Sequence, residues 1–99
     1  MGKMIKIFWR DIPSHVIYKH GKEKEKMQLD PKFAIAIDRA AMRAGKGSSD
    51  AYMSEWRREI EKMTGIPKQL VSDTVKKLED EFTDELLEKT IKSGGFKKR

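Results

Sequence analysis

The spacing of apolar residues changes once along this chain, at Asp30-Pro31, and the change separates a sheet-forming segment from a helical one. In MIKIFWRD the residues Ile5, Ile7 and Trp9 alternate with Met4, Lys6, Phe8 and Arg10. That period of two belongs to a strand with one face firmly buried and the other partly so. Pro13 has no N–H for a ladder, so this strand is expected to end near Asp11. The β-branched and aromatic run His15-Val16-Ile17-Tyr18-Lys19 reads as a second strand. Gly21 and the alternating charges Lys22 to Lys26 then lead through a hairpin to a third, with Glu25, Met27 and Leu29 on one face. Such a Lys/Glu run is expected as a solvated hairpin or a charged edge that discourages sheet-to-sheet association.

After Asp30 the spacing is helical. Asp30 supplies an N-cap carboxylate, and Pro31 takes the first helical position, where its missing N–H costs nothing. Phe33, Ile37, Ala40, Ala41 and Ala44 fall on one side of a helix that stops at Gly45. Lys32, Arg39 and Arg43 line the opposite side, with Lys46 just beyond. Ser49 or Asp50 is expected to cap a second helix whose stripe Met53, Trp56, Ile60 and Met63 faces the core, with Tyr52 at its margin and Thr64-Gly65 closing it. Pro67 opens a third helix with Val71, Val75, Leu78 and Phe82 inward. Thr83 caps a fourth, carrying Leu86, Leu87 and Ile91, with Asp84 and Glu85 at its positive end and Ser93-Gly94-Gly95 after it.

The fold class expected is therefore α+β: a small antiparallel sheet of about three strands packed against three to four helices, with the helix from Pro31 covering one sheet face. Ninety-nine residues make a single domain, residues 1–95, followed by a basic tail, 96–99. A domain of this size buries only roughly 60 to 65% of the surface its unfolded chain exposes, which leaves room for one modest core and no large internal cavity.

The absence of cysteine excludes disulfides, thiolate nucleophiles and Cys-based zinc or iron–sulfur sites. Lys6 and Arg10 interrupt the N-terminal apolar run before it reaches signal-peptide length, and no stretch approaches a membrane span. A cytoplasmic protein with no membrane partner is expected. The net charge of +6 is a mild basic bias that admits acidic partners, nucleic acid among them.

No catalytic motif is strong. His15 and His20 lie five apart, so on a strand they face opposite sides, and no neighbouring Asp, Glu or Cys completes a metal set. Ser14-His15 are sequence neighbours in an extended segment, which points a nucleophile away from its base. The segment from Ala44 to Asp50 has the small residues of a phosphate cradle but follows a helix where a nucleotide-binding loop follows a strand. No cofactor is expected. The better candidate is a composite surface: Trp9, Arg10 and Asp11 at the strand end, Arg39 and Arg43 on the first helix, and Trp56 and Arg57 beyond. Arginine grips carboxylate or phosphate with two donors, and neighbouring aromatics stack on rings. Asp11, Asp38, Glu55, Glu59 and Glu61 are near enough in sequence to neutralise the same arginines in ordinary ion pairs.

Taken together, FWRDIP, AIDRAAMRAG and DAYMSEWRR resemble a short bacterial domain family labelled virulence factor, found as a stand-alone protein and joined to helical-repeat regions. A looser match continues into LEDEF and LLEKTIKSGG, while the KHGKEKEKM hairpin and residues 64–68 depart from the pattern. The resemblance carries no catalytic residues. Through stand-alone members encoded near folate- and corrinoid-dependent methyl-transfer enzymes, it implies an accessory role in one-carbon or methionine metabolism. The leading expectation is a non-enzymatic accessory protein that docks on a larger protein partner. The alternative is nucleic-acid binding through Lys32, Arg39, Arg43 and Lys46. A third reading is a small enzyme holding an anionic substrate on Arg10 and Arg39, with Asp11 or Asp38 as acid/base.

Overall fold

The computed structural model describes residues 2–45 and 49–97, leaving Lys46, Gly47 and Ser48 of the expected phosphate-cradle segment, and Lys98 and Arg99 of the expected basic tail, outside the described residues. The elements in chain order are β1 (Gly2–Trp9), β2 (Ile12–His20), β3 (Glu23–Gln28), α1 (Pro31–Arg43), α2 (Ser49–Met53), β4 (Trp56–Met63), α3 (Pro67–Glu81) and α4 (Asp84–Lys92). The fold is α+β, with, among the described residues, a four-stranded antiparallel sheet in the order β3-β2-β1-β4 and four helices.

The extra strand corrects the reading of the middle of the chain. Residues 56–63 were expected to continue a helix, with Met53 and Ile60 facing the core. Instead the helix stops at Met53, and β4 pairs with the whole of β1, from Gly2↔Met63 to Trp9↔Trp56. Met53 is 64% and Ile60 57% exposed. An edge strand that buries so little leaves almost no hydrophobic period to read, and Arg, Glu, Lys and Met favour helix in isolation. The hydrogen-bonding edge of β1, otherwise unsatisfied, outweighs that local preference.

The other boundaries follow local chemistry. Asp30 caps α1, accepting from Lys32 N–H at 3.0 Å, and Thr83 caps α4 through Leu86 N–H at 3.1 Å. β1 and β2 join through the two-residue turn Arg10-Asp11, and a bulge at Ser14 shifts the register between Ile7↔His15 and Phe8↔Pro13. Pro13 lies inside β2 but beyond the last β3 partner, Gln28 opposite His15, so no ladder on that side requires its N–H.

The helices lie on the sheet face that carries Met4, Phe8, Val16 and Tyr18. α3 packs on β2 and β3, and α1 packs on β2 and α4. The core joins those strand residues to Phe33, Ala36, Ile37, Ala40, Val71, Val75, Leu78, Phe82, Leu87 and Ile91, all but Ala36 being helix positions that spacing indicated. Phe33 and Phe82 meet edge to face at 6.0 Å, an arrangement worth about 1 kcal/mol beyond area burial. At the far end of the sheet the Tyr18 hydroxyl crosses β1 and donates to Met63 O at 2.9 Å. It passes over Gly2, where a Cβ would stand 2.0 Å from the hydroxyl oxygen, so only glycine leaves room for this tie between β2 and β4.

Candidate functional site

The FWRD turn is bound from three sides by its own chain. Trp9 is fully buried, stacks on Tyr52 at 5.8 Å and donates its indole N–H to Tyr52 O at 2.8 Å. Tyr52 in turn meets Trp56 edge to face, and burial together with the nearby Asp38 charge raises its pKa. Arg10 has φ +54, a left-handed conformation uncommon outside glycine. Its guanidinium donates to Gly94 O at 2.8 Å and to Glu55 Oε1 at 3.4 Å, and sits 4.5 Å from the centroid of Phe96. Arg10 Nε lies 3.2 Å from Glu55 Oε2, close enough for charge attraction but out of line for a hydrogen bond. Asp11 accepts from Lys97 N–H at 2.7 Å and from Arg57 at 3.3 Å, while Arg57 Nε donates to Arg10 O at 2.7 Å. Arg57 also pairs with Glu59 and lies over Phe8.

Arg39 and Arg43 serve a second junction. Arg39 forks onto Glu88 at 3.0 and 2.8 Å, which raises its own pKa and holds the Glu88 carboxyl below the usual range. Arg43 Nε donates to Lys92 O at 3.0 Å, and Lys32 pairs with Asp84 at 3.0 Å. The basic side of α1 thus lies along α4. Arg43 and Arg10 take carbonyls two residues apart at the end of α4, the negative pole of that helix. Of the residues proposed from sequence, the structure brings Trp9, Arg10, Asp11, Trp56 and Arg57 together at the turn. Arg39 and Arg43 stand at the α1–α4 junction and join the turn only through the α4 terminus.

Beside the turn, Lys6, Phe8, Arg57, Glu59, Leu78 and Phe82 line a cleft of about 360 Å³ between the sheet and α3. Lys6 pairs there with Glu61 at 3.1 Å and Arg57 with Asp11 and Glu59, while the Lys97 ammonium, which also lines the cleft, lies over the Phe82 ring.

The opposite sheet face was not anticipated. Side chains of directly paired residues share a face, so the register composes it row by row. Lys24, Lys19, Lys3 and Lys62 cross all four strands in one row. Lys26, Ile17, Ile5 and Ile60 form the next, and Gln28, His15, Ile7 and Arg58 the third. No strand residue in these rows is acidic, because Glu23, Glu25, Glu59 and Glu61 fall on the other parity. Among the described residues, none of the six cations forms an ion pair. Ile5, 8% exposed, lies outside the helix-side core. Burial and the Lys26 charge lower the pKa of His15. Reading residues 56–63 as helix hid this surface, since it separated Arg58, Ile60 and Lys62 from Lys3, Ile5 and Ile7. The same alternation that marked β1 would have revealed it once applied to β4.

Fold and site define a small α+β sheet domain with one helix-covered face, one open face and a turn clasped by its own C-terminal residues. Residues 7–91 match the family model described as virulence factor, and the chain belongs to that family. No curated protein and no solved structure matches it. Among the described residues no helix is long and apolar enough to cross a membrane.

Proposed function

We propose that the protein is a non-enzymatic accessory module that docks on a larger protein partner through its open sheet face. The observation that carries this reading is the composition of that face: an isoleucine centre bordered by six cations with no ion-pair partner among the described residues. An apolar surface ringed by charge is the pattern of a recognition patch. The Arg/Trp turn supports docking indirectly, by fixing the ends of β1 and β4 on which the face is built. The family resemblance adds the setting, in which the partner is a methyl-transfer enzyme of one-carbon metabolism.

The test is affinity capture from native lysate with the full chain, followed by size-exclusion of the recovered complex. A larger protein is expected to co-elute with the chain in fixed ratio, and repeated recovery of none rejects docking. Nucleic-acid binding is the competing reading, favoured by the four-lysine row more than by α1, whose Lys32, Arg39 and Arg43 already contact α4. It requires oligonucleotide binding that weakens steeply with salt.

A further inference from the structure

We infer that the open sheet face recognises an acidic amphipathic α-helix of the partner, laid across the strands along the row Lys26, Ile17, Ile5 and Ile60. This rests on the docking reading above and names the chemistry of what docks.

Neighbouring strands are about 4.8 Å apart, so Ile17, Ile5 and Ile60 stand at that interval on β2, β1 and β4. An α-helix advances about 5.4 Å per turn, and apolar residues at i, i+3 or i+4, and i+7 recur at nearly the same interval. A helix crossing the strands therefore sets one apolar residue on each isoleucine. Its flank then runs parallel to Lys24, Lys19, Lys3 and Lys62, where glutamates or aspartates of successive turns each meet an ammonium. Arg58, on the other side of the isoleucine row, takes a carboxylate from the second flank.

Charge complementarity excludes a basic helix. The isoleucines argue against a nucleic-acid strand, because phosphates satisfy the lysines but leave the apolar row with nothing to cover it. Sheet platforms that bind single strands stack bases on aromatic rings, and the rings at the end of this sheet, Trp9 and Trp56, are engaged with Tyr52. Ile60, 57% exposed, is the residue with the most apolar surface to lose.

The test is titration of the isotope-labelled full chain, followed by amide NMR, with three probes. One is a synthetic helical peptide with leucines at i, i+4 and i+7 flanked by glutamates. The second replaces every glutamate with lysine, and the third is a short oligothymidylate. The acidic helix alone is expected to move the amides of Ile5, Ile17, Ile60, Lys3, Lys19 and Lys62. Ile60→Ser should weaken its binding about tenfold, and the double variant Lys19→Glu, Lys62→Glu by at least about tenfold. Both variants change exposed side chains, and an unchanged melting profile for Ile60→Ser verifies that its fold is intact. Equal or tighter oligothymidylate binding on these rows overturns the inference. So does indifference to Ile60→Ser, or shifts confined to other surfaces, or no binding of the acidic helix. If lysate capture recovers a partner equally well with the wild-type chain and with the double charge variant, docking stands and the assignment to this face falls. If capture recovers nothing from wild type, the docking reading itself fails.

Discussion

Arg10 shows how one residue serves strain and cohesion at once. Its left-handed backbone suits glycine, and for an L-residue costs about 1–2 kcal/mol. The side chain offsets that by joining Glu55, Gly94 O and Phe96 around one guanidinium. Arg10→Ala keeps the strain and loses the clasp, and is expected to destabilise by about 2–4 kcal/mol in chemical denaturation. Arg10→Gly loses the same contacts but relieves the backbone, and should be about 1 kcal/mol more stable than the alanine variant. Equal losses would mean that the turn stores no strain. The importance of FWRD was legible in the sequence, since Trp9, Arg10, Asp11 and Arg57 do converge. The direction of their grip was not, because the Gly94 and Lys97 backbone groups they meet lie at the far end of the chain and carry no side-chain signature. His15 gives a second residue-scale test. Its folded-state pKa lies below the ordinary 6.5, first through burial and then through Lys26. The folded state thus binds fewer protons than the unfolded state as pH falls. His15 costs nothing well above pH 6.5 and lowers stability as pH drops below that value. Lys26→Ala should raise the His15 pKa, read from its ring-proton titration by NMR, and leave the burial contribution in place.

At the scale of elements, legibility followed burial. α1, α3 and α4 each bury a stripe and carry local start signals, and their ends fall where Asp30-Pro31, Pro67, Thr83 and Gly94 placed them. β4 has neither, because an edge strand of Trp56, three cations, two carboxylates, Ile60 and Met63, with no residue fully buried, leaves burial too weak to set a period. What makes it a strand is eight pairs with β1, a property of the other strand's edge and not of its own sequence. Amide exchange distinguishes the two assignments for residues 56–63. In an edge strand every second N–H points away from the ladder, so protection should alternate residue by residue, with the fast positions near the rate of exposed loops. A helix would protect an unbroken run. Tyr18→Phe provides an independent element-level reading. Removing the hydroxyl that reaches Met63 O leaves that carbonyl without the bond, costing about 1 kcal/mol, and the loss of protection should be largest at the Met63 end of β4.

For the molecule as a whole, the distribution of charge separates cohesion from recognition. Carboxylates and cations meet wherever elements join: Glu88 with Arg39, Asp84 with Lys32, Glu55 with Arg10, Asp11 with Arg57. Six cations that form no ion pair among the described residues gather on the open sheet face, where Lys3 stands directly between Lys19 and Lys62. Like charges placed directly opposite across a ladder are unfavourable, so this arrangement lowers the stability of the free protein. A surface selected for stability alone would set opposite signs side by side, as the other parity does where Lys6 stands opposite Glu59 and pairs with Glu61. Lys3→Glu is therefore expected to raise the melting temperature, with a gain on the order of 0.5 kcal/mol from two repulsive pairs turned attractive. Added salt should raise the stability of wild type by screening the row, and should do so less for the variant. The same substitution should weaken capture of an acidic helix. Stability and binding moving in opposite directions is the outcome expected of a charge row kept for recognition. If Lys3→Glu lowers both, Lys3 supports the strand, and the row owes its sign to folding.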